Sequence, residues 1–202
     1  PSNIAIEIHS AWGTFPWLLH DAFELGLQIG IVANSDDHKG RPGASYPGAS
    51  SFGSYGGLTC FLCSELTREG IFESLTDRHH YATTGTRMVL DTRVRLDHKE
   101  AIMGDIIVTK QSQVAFHLHA VCSSPIEHVD IFNGKTLVTT LHPFTLESES
   151  RRIRVLWEGA ERRGRGRETT WDGQATVIAN AFLHVHPINF WNPIHTCELI
   201  DD

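Results

Sequence analysis

A short apolar run leads directly into a cluster of acidic and imidazole side chains at Ile29-Gly30-Ile31-Val32-Ala33-Asn34-Ser35-Asp36-Asp37-His38-Lys39-Gly40. The run that ends at Ala33 is short, continuous and rich in β-branched residues, which is typical of a buried strand in a parallel sheet. The residues that follow, up to Gly57, are rich in glycine, serine and proline, which predicts a long functional loop. Reactive side chains thus follow the carboxyl end of a strand, where α/β proteins build their sites.

The first 87 residues alternate between strand and helix patterns. Residues 4–9 alternate like a strand, and residues 15–25 and 67–79 carry apolar side chains at helical spacing. Gly26 is suited to end the first helix, and a further strand is predicted over residues 58–63. Together with a family resemblance of this sequence, the pattern leads us to expect that these residues form the last β/α units of a distorted β/α barrel.

From residue 88 onward the apolar period changes to two, and no helical pattern interrupts it. Strands are predicted over residues 89–96, 114–121, 129–132, 136–141, 153–157 and 175–183. Asn133-Gly134 predicts a type I′ hairpin between two of them. The fold class is therefore α/β plus all-β, with an α/β domain over residues 1–87 and an antiparallel β-sandwich-like domain over residues 88–202.

Asp36 and His38 are the strongest candidate metal ligands. In an extended strand exit, residues two apart project to the same side, so that a carboxylate and an imidazole can converge on one cation. Such mixed oxygen and nitrogen ligation suits Zn²⁺, Mn²⁺ or Fe. The alternative is a simple turn or helix cap, because Ser-Asp-Asp after a strand is common turn chemistry.

Several stretches resemble one branch of the PHP (polymerase and histidinol phosphatase) superfamily, the family called domain of unknown function 3604. The strongest is the strand followed by Ser-Asp-x-His-x-Gly at residues 35–40, which is similar to the last metal-binding motif of PHP domains. The others are residues 7–15, 33–43, 56–59, 66–75, 81–87, 103–105, 125–127 and 171–173. The resemblance covers nearly the whole chain.

This resemblance implies a metal-dependent hydrolase in which metal-activated water attacks a phosphoester. PHP domains also carry an N-terminal His-x-His and further ligands, and that region is absent from this sequence, which opens at Pro1 without a methionine. We therefore expect the chain to be a C-terminal fragment that is inactive alone. Asp36 and His38 would supply only part of a divalent metal site, and the chain would need the missing barrel segment or self-association.

Other residues near the motif are candidates for supporting roles. Asp37 could orient His38 or cap the turn, and Glu7 and His9 lie near the end of the preceding strand with side chains on one side. A buried polar pair is the alternative for Glu7 and His9. The cationic residues Lys39, Arg41 and Arg87 could bind an anionic substrate or be surface charges. For Trp12 and Tyr46, packing is favoured over a role in lining a pocket.

Composition limits the partners. The 202 residues carry a net charge of −7, which argues against nucleic acid, because phosphate backbones reward clustered Lys and Arg. The basic run at residues 162–167 fits a solvated hairpin. No apolar run is long enough to span a bilayer, and we expect a small anionic substrate, phosphorylated in the superfamily default, and no membrane partner.

The four cysteines and the paired histidines are interpreted structurally. Cys60 and Cys63 have C-x-x-C spacing within a strand-like run, so we expect small buried hydrophobes and, by default, a reducing compartment such as the cytoplasm. His117 and His119, and likewise His184 and His186, could each hold a metal from one face of a strand. A polar sheet face is the favoured reading of both pairs.

A non-enzymatic function is the alternative to the hydrolase. The β domain could be a binding or interaction module, with the α/β part completing the core of another domain. A pure β-sandwich binder would not require the acidic and imidazole strand exit at Asp36 and His38.

Overall fold

The computed structural model describes residues 4–38, 40, 56–96, 99–143, 151–155, 172–187 and 196–200. It is rich in β-structure, with four small sheets and two helices in the described residues. The elements are β1 (Ala5–Ser10), β2 (Gly13–Thr14), α1 (Pro16–Glu24), β3 (Gly30–Ala33), β4 (Leu58–Phe61), α2 (Arg68–Thr76), β5 (His80–Thr83), β6 (Val89–Leu96), β7 (Lys99–Ile102), β8 (Ala115–Val121), β9 (Val129–Asn133) and β10 (Thr136–Leu141). Over these parts of the chain, no helix is long and apolar enough to cross a membrane.

Both predicted helices are confirmed, and local signals fix their ends. In α1, proline occupies the first turn, and Gly26 follows the helix with φ +68°. At the start of α2, the side chain of Thr67 accepts a hydrogen bond from the Gly70 amide at 3.0 Å. The prediction that this helix reaches His79 is wrong, because Arg78 adopts a left-handed backbone at φ +63° and closes the helix with a Schellman motif.

The predicted parallel pairing is confirmed for β3, which pairs with β1 in a register that places Ala5 opposite Gly30. β2 adds to the other edge of β1 in the antiparallel sense. Because β1 and β3 run in the same direction, their carboxyl ends lie at one edge of the sheet.

β5 runs in the same direction as β3. A Cβ on Gly30 would lie 2.5 Å from His80 Nε2, so the two strands begin side by side. At the other end of β3, Thr59 Oγ1 accepts from the amide of Ala33 at 3.0 Å and donates to its carbonyl at 2.9 Å. β4 and β5 are antiparallel, with Thr83 opposite the first residue of β4. The carboxyl ends of β1, β3 and β5 thus share one edge, which we call the carboxyl edge.

The second half of the chain forms antiparallel strands, as predicted. β6 is central in the order β7-β6-β8, and β9 and β10 form a hairpin. The turn of that hairpin is Gly134-Lys135 rather than Asn133-Gly134, because Asn133 pairs with Thr136. Gly134 has φ +58° and Lys135 has a negative φ, which fits type II′ rather than the predicted type I′.

Two predicted strands are not formed as expected. Residues 175–183 are described and contain a turn but no strand, so that prediction is wrong. Residues 153–155 also form no strand, and residues 156 and 157 lie outside the described part of the chain. Alternating apolar side chains are compatible with a strand but do not supply the neighbour with which a strand must pair.

Several contacts join the α/β region (residues 4–87) to the β region (residues 88–200), among them an ion pair between Lys135 and Glu24. The Tyr81 hydroxyl donates to the Met88 carbonyl at 2.6 Å and accepts from the Leu90 amide at 3.2 Å. His79 Nε2 lies 2.9 Å from Asp105 Oδ1. Next to it, Gly104 approaches so closely that a Cβ would lie 2.4 Å from the Arg78 carbonyl oxygen.

Most of the buried residues are small or polar, Leu96 and Tyr81 being the larger ones, and most lie in the α/β region. The buried apolar residues are Ala11, Ala22, Ala33, Tyr81, Leu96 and Ala101, and the buried polar ones are His9, Ser10, Asp37, Ser74, His80 and Thr83. No large side chain in the described residues is fully buried. The interior is therefore built by close approach of backbones around small residues.

Candidate metal centre

Asp36 and His38 lie just beyond β3, and their side chains meet. His38 Nε2 is 2.9 Å from Asp36 Oδ1, and both side chains are open to solvent, with exposed fractions of 65 % and 42 %. The predicted convergence of the two side chains is present, but the predicted extended backbone is wrong. Both residues adopt left-handed conformations, with φ +45° at Asp36 and +55° at His38. Asp and His are both enriched among the few non-glycine residues that adopt this region, and the short polar side chain of Asp can also bond locally.

Backbone hydrogen bonds hold this segment at the carboxyl edge. The Asn34 amide donates to the His9 carbonyl at 3.2 Å, and the Ala11 amide donates to the Ser35 carbonyl at 2.9 Å. From the other side, the Gly57 amide donates to the Asn34 carbonyl at 2.8 Å. The chain after β3 is thus tied to the segments next to it before it reaches Asp36.

Trp12 contacts both candidate ligands. Its Nε1 donates to the backbone carbonyl of Asp36 at 3.2 Å, and its ring centroid lies 5.8 Å from that of His38, tilted by 59°. Trp12 therefore positions the loop and restricts the imidazole. The sequence signal was its place two residues beyond β1, at the same edge as Asp36.

The pair provides the donors that a divalent cation prefers. Zn²⁺ binds carboxylate oxygen and imidazole nitrogen at about 2.0–2.2 Å, so two ligands of a tetrahedral site lie roughly 3.4 Å apart. The observed separation of 2.9 Å is that of a direct hydrogen bond, so the two side chains would have to move slightly apart to share a cation. In the described residues, no group of three His, Cys, Asp or Glu side chains could hold a metal. Within the described residues, Asp36 and His38 therefore supply two donors, fewer than a metal site needs.

Glu7 and His9 have separate surroundings. A register shift between them interrupts the alternation on which their shared orientation was predicted. The Glu7 carboxylate accepts from the Asn34 side-chain amide. His9 is 7 % exposed and shares a hydrogen bond of 2.8 Å with Thr14 Oγ1.

The remaining predicted site residues are distributed differently. Asp37 is buried although its neighbours are exposed, so its side chain points into the protein rather than toward solvent. Arg87 is exposed and follows β5. Lys39, Arg41 and Tyr46 lie outside the described residues, as does the basic run at 162–167.

A cavity of about 420 Å³ lies between the α/β and β regions. His9 is on its wall, which places the cavity beside the carboxyl edge. The lining residues are Ile8, His9, Thr14, Ile31, Ala82, Thr83, Thr84, Thr86, Met88, Cys122, Ser123, Ser124, Pro125 and Ile126. Sequence reasoning missed most of these residues, although the hydroxyl-rich run Thr83-Thr84-Gly85-Thr86 directly after a strand was a usable signal.

Other histidines and cysteines in the described residues serve the fold. Burial lowers the pKa of His80, despite its hydrogen bond to the Ser74 carbonyl, so this buried imidazole is neutral near pH 7. His117 and His119 lie on β8 opposite Arg93 and Asp91, which fits the polar-face interpretation. All four cysteines are free thiols.

Comparison with known proteins shows a distant likeness. The chain is 28 % identical over 163 residues to an uncharacterized protein of Chlamydia pneumoniae. The match covers 68 % of this chain and 26 % of that protein, so the chain spans about a quarter of the relative's length. No protein-family model matches the chain. No solved structure matches it either.

Proposed function

We propose that this chain forms part of a metal-dependent hydrolase of the PHP type that acts on phosphoesters. The observation that carries the proposal is the pair Asp36 and His38, 2.9 Å apart at the carboxyl edge. Parallel strands at this edge agree with the end of a β/α barrel, and a sandwich-like β region would follow it. A hydroxyl-bearing cavity that includes His9 and Thr83, near the ends of β1 and β5, supplies room for an organic substrate.

The residues of this chain would hold and orient the cation rather than perform the reaction alone. Asp36 would offer a carboxylate oxygen and His38 an imidazole nitrogen to Zn²⁺, Mn²⁺ or Fe. When bound, such an ion lowers the pKa of a water molecule and stabilises charge on the phosphoryl oxygens. Trp12 keeps the Asp36 carbonyl and the His38 ring in place.

The remaining charged candidates from the sequence complete the proposed assignment. Lys39, Arg41 and Arg87 would attract the anionic substrate, and Asp37, Glu7 and His9 would support the site. In the hydrolysis, water oxygen forms a new bond to phosphorus, the ester oxygen departs, and the proton lost by water ends on the alcohol. Two ligands do not complete a catalytic metal site. The remaining ligands would come from protein outside these 202 residues or from a second copy of the chain.

Metal titration of the 202-residue chain tests this proposal. We expect Zn²⁺ to bind the unmodified chain at least about tenfold more tightly than the Asp36→Ala/His38→Ala variant, since a lost ligand removes more than about 1.4 kcal/mol. His128→Ala/Asp130→Ala is the matched control, because these residues are also two apart and lie 3.7 Å from one another. Equal Zn²⁺ affinity in all three proteins would contradict the proposal.

An interaction module is the second candidate, and the exposed apolar side chains of the β region favour it. Phe116, Phe132, Leu137 and Leu141 are each about half exposed. Exposed apolar side chains on strands at the edge of a sheet mark sites of association. Light scattering is the test: concentration-dependent self-association supports this candidate, and a monodisperse monomer counts against it and against an open barrel fragment.

A further inference from the structure

The cavity lies where three parts of the chain meet. Ile8 and His9 come from β1, Thr83 and Thr84 from the end of β5, and residues 122–126 from the segment after β8. Clefts between packed units and at strand ends are frequent ligand sites. A volume of about 420 Å³ is within the range of small-molecule pockets.

The walls of the cavity combine hydroxyl groups with apolar surface. Six of its residues carry hydroxyls: Thr14, Thr83, Thr84, Thr86, Ser123 and Ser124. Between them lie aliphatic side chains such as Ile31 and Ile126. His9 and Thr83 are more than nine-tenths buried, so part of this polar lining is built into the interior.

Among the residues that the structure describes, no Asp, Glu, Lys or Arg side chain lines the cavity. Thr86 and Met88 are on its wall, whereas Arg87 between them is not and is exposed. An anion in this cavity would lose water without gaining a countercharge, which is costly. An uncharged group can instead exchange hydrogen bonds with the hydroxyls and cover apolar surface.

We infer that this cavity binds the uncharged alcohol portion of the substrate, a hydroxyl-bearing group with an apolar body. The inference rests on the proposed hydrolase only in calling this group part of a substrate. The phosphoryl group would stay outside the cavity, on the Asp36 and His38 side of the carboxyl edge. The candidate substrates are therefore phosphate esters of uncharged aromatic or aliphatic alcohols. Esters of alcohols that carry further charged groups are not expected to bind in the cavity.

Cys122 provides a direct readout because its thiol is on the cavity wall. Benzyl alcohol is the probe, since it is uncharged and joins one hydroxyl to an apolar ring. Occupancy should slow alkylation of Cys122 by iodoacetamide by a factor of 1 + [L]/Kd, about tenfold when the probe is at ten times its Kd. Cys197 is exposed and serves as the internal control. Peptide mass spectrometry would follow each cysteine separately.

A cavity-filling substitution provides the second arm. Thr84 is exposed at the rim, so Thr84→Trp should be tolerated by the fold while occupying the cavity. We expect this variant to lose benzyl alcohol protection of Cys122, whereas Thr139→Trp on the exposed strand β10 retains it. Unchanged alkylation of Cys122 at saturating benzyl alcohol, or equal protection in Thr84→Trp, would overturn the inference.

The same assay separates this inference from the proposed metal site. In Asp36→Ala/His38→Ala, benzyl alcohol should still protect Cys122 from alkylation to the same extent. In the unmodified chain, Zn²⁺ should increase the protection of Cys122 by benzyl phosphate, and this increase should be absent from the variant. Protection by the alcohol without a Zn²⁺ effect would support the cavity and contradict the hydrolase. Zn²⁺ binding at Asp36 and His38 without protection of Cys122 by benzyl alcohol would support the metal site and contradict the cavity inference.

Discussion

The α/β region and the β region are stabilised in different ways. The α/β region buries small and polar residues such as Ala33 and His9 and ties its loops with backbone hydrogen bonds. The β region has regular strand ladders, but large side chains such as Phe116 and Phe132 remain about half exposed. Regular hydrogen bonding therefore does not by itself create a core, because a sheet face must also be covered.

The largest effect should come from breaking the contact between the two regions. Gly104→Ala would put a Cβ 2.4 Å from the Arg78 carbonyl oxygen, at φ +95°. We expect a loss of about 2–4 kcal/mol in the free energy of unfolding, from overlap together with backbone strain. Urea unfolding measures it. Gly134→Ala is the control, because φ is +58° there and no atom lies within 4 Å, so its loss should be about 1 kcal/mol. Equal losses would mean that the regions do not pack as described.

Removing a single hydroxyl should give the next largest effect. Tyr81→Phe deletes the group that donates to the Met88 carbonyl and accepts from the Leu90 amide, while the ring remains. We expect a loss of about 1–3 kcal/mol, because two backbone groups lose their partner. Thr76→Val removes an exposed side-chain hydrogen bond to the Phe72 carbonyl and should cost less. Thermal unfolding of both variants would make the comparison, and an equal effect would contradict the special role of Tyr81.

The contact between His79 and Asp105, which joins the two regions, should contribute less to the free energy of unfolding. Its contribution should be lost at acid pH. The hydrogen bond from His79, with that from the Ile102 amide, lowers the pKa of Asp105. A carboxylate with a depressed folded-state pKa stabilises the protein above its unfolded value of about 3.9, and this contribution is lost as pH falls through the folded value. Asp105→Asn should thus be less stable than the parent by up to about 1 kcal/mol at pH 6, the carboxylate being exposed. The difference should shrink toward pH 3. A pH-independent difference in urea midpoint would contradict this origin.

The smallest effect on stability should come from the open face of the β region. Phe116 is 47 % exposed on β8. Phe116→Tyr should change the free energy of unfolding by no more than about 0.5 kcal/mol, since the half-buried ring is kept and tyrosine suits a strand. Self-association measured by light scattering should decrease at the same time. A large destabilisation would show that Phe116 is covered by other parts of the chain.

Much of the fold follows from local sequence signals. Gly26 and Thr67 mark helix ends because each supplies a specific backbone or capping property, and the Ile29–Ala33 run predicted a parallel strand. The failures involve non-local pairing. The segment at 175–183 has a strand pattern but no neighbour, and no periodicity reveals that Gly104 meets Arg78.

The sequence predicted that the side chains of Asp36 and His38 lie together, but it did not predict the backbone conformation of these two residues. The spacing of Asp36 and His38 predicted that their side chains meet, yet they meet through two left-handed residues rather than an extended strand. Trp12 was expected only to pack, and the cavity was not anticipated. Both depend on how separate segments approach one another, which local patterns do not encode.

The left-handed backbone at Asp36 and His38 also limits how this loop can drift over evolutionary time. Asparagine and glycine enter that conformation readily, whereas valine, isoleucine and threonine are strongly disfavoured there. A descendant that abandoned the chemistry while keeping the fold should therefore accumulate asparagine or glycine at these two positions. Loss of the function could then be recognised in a sequence from asparagine or glycine at positions 36 and 38, because the backbone conformation of the loop limits which residues can replace Asp36 and His38.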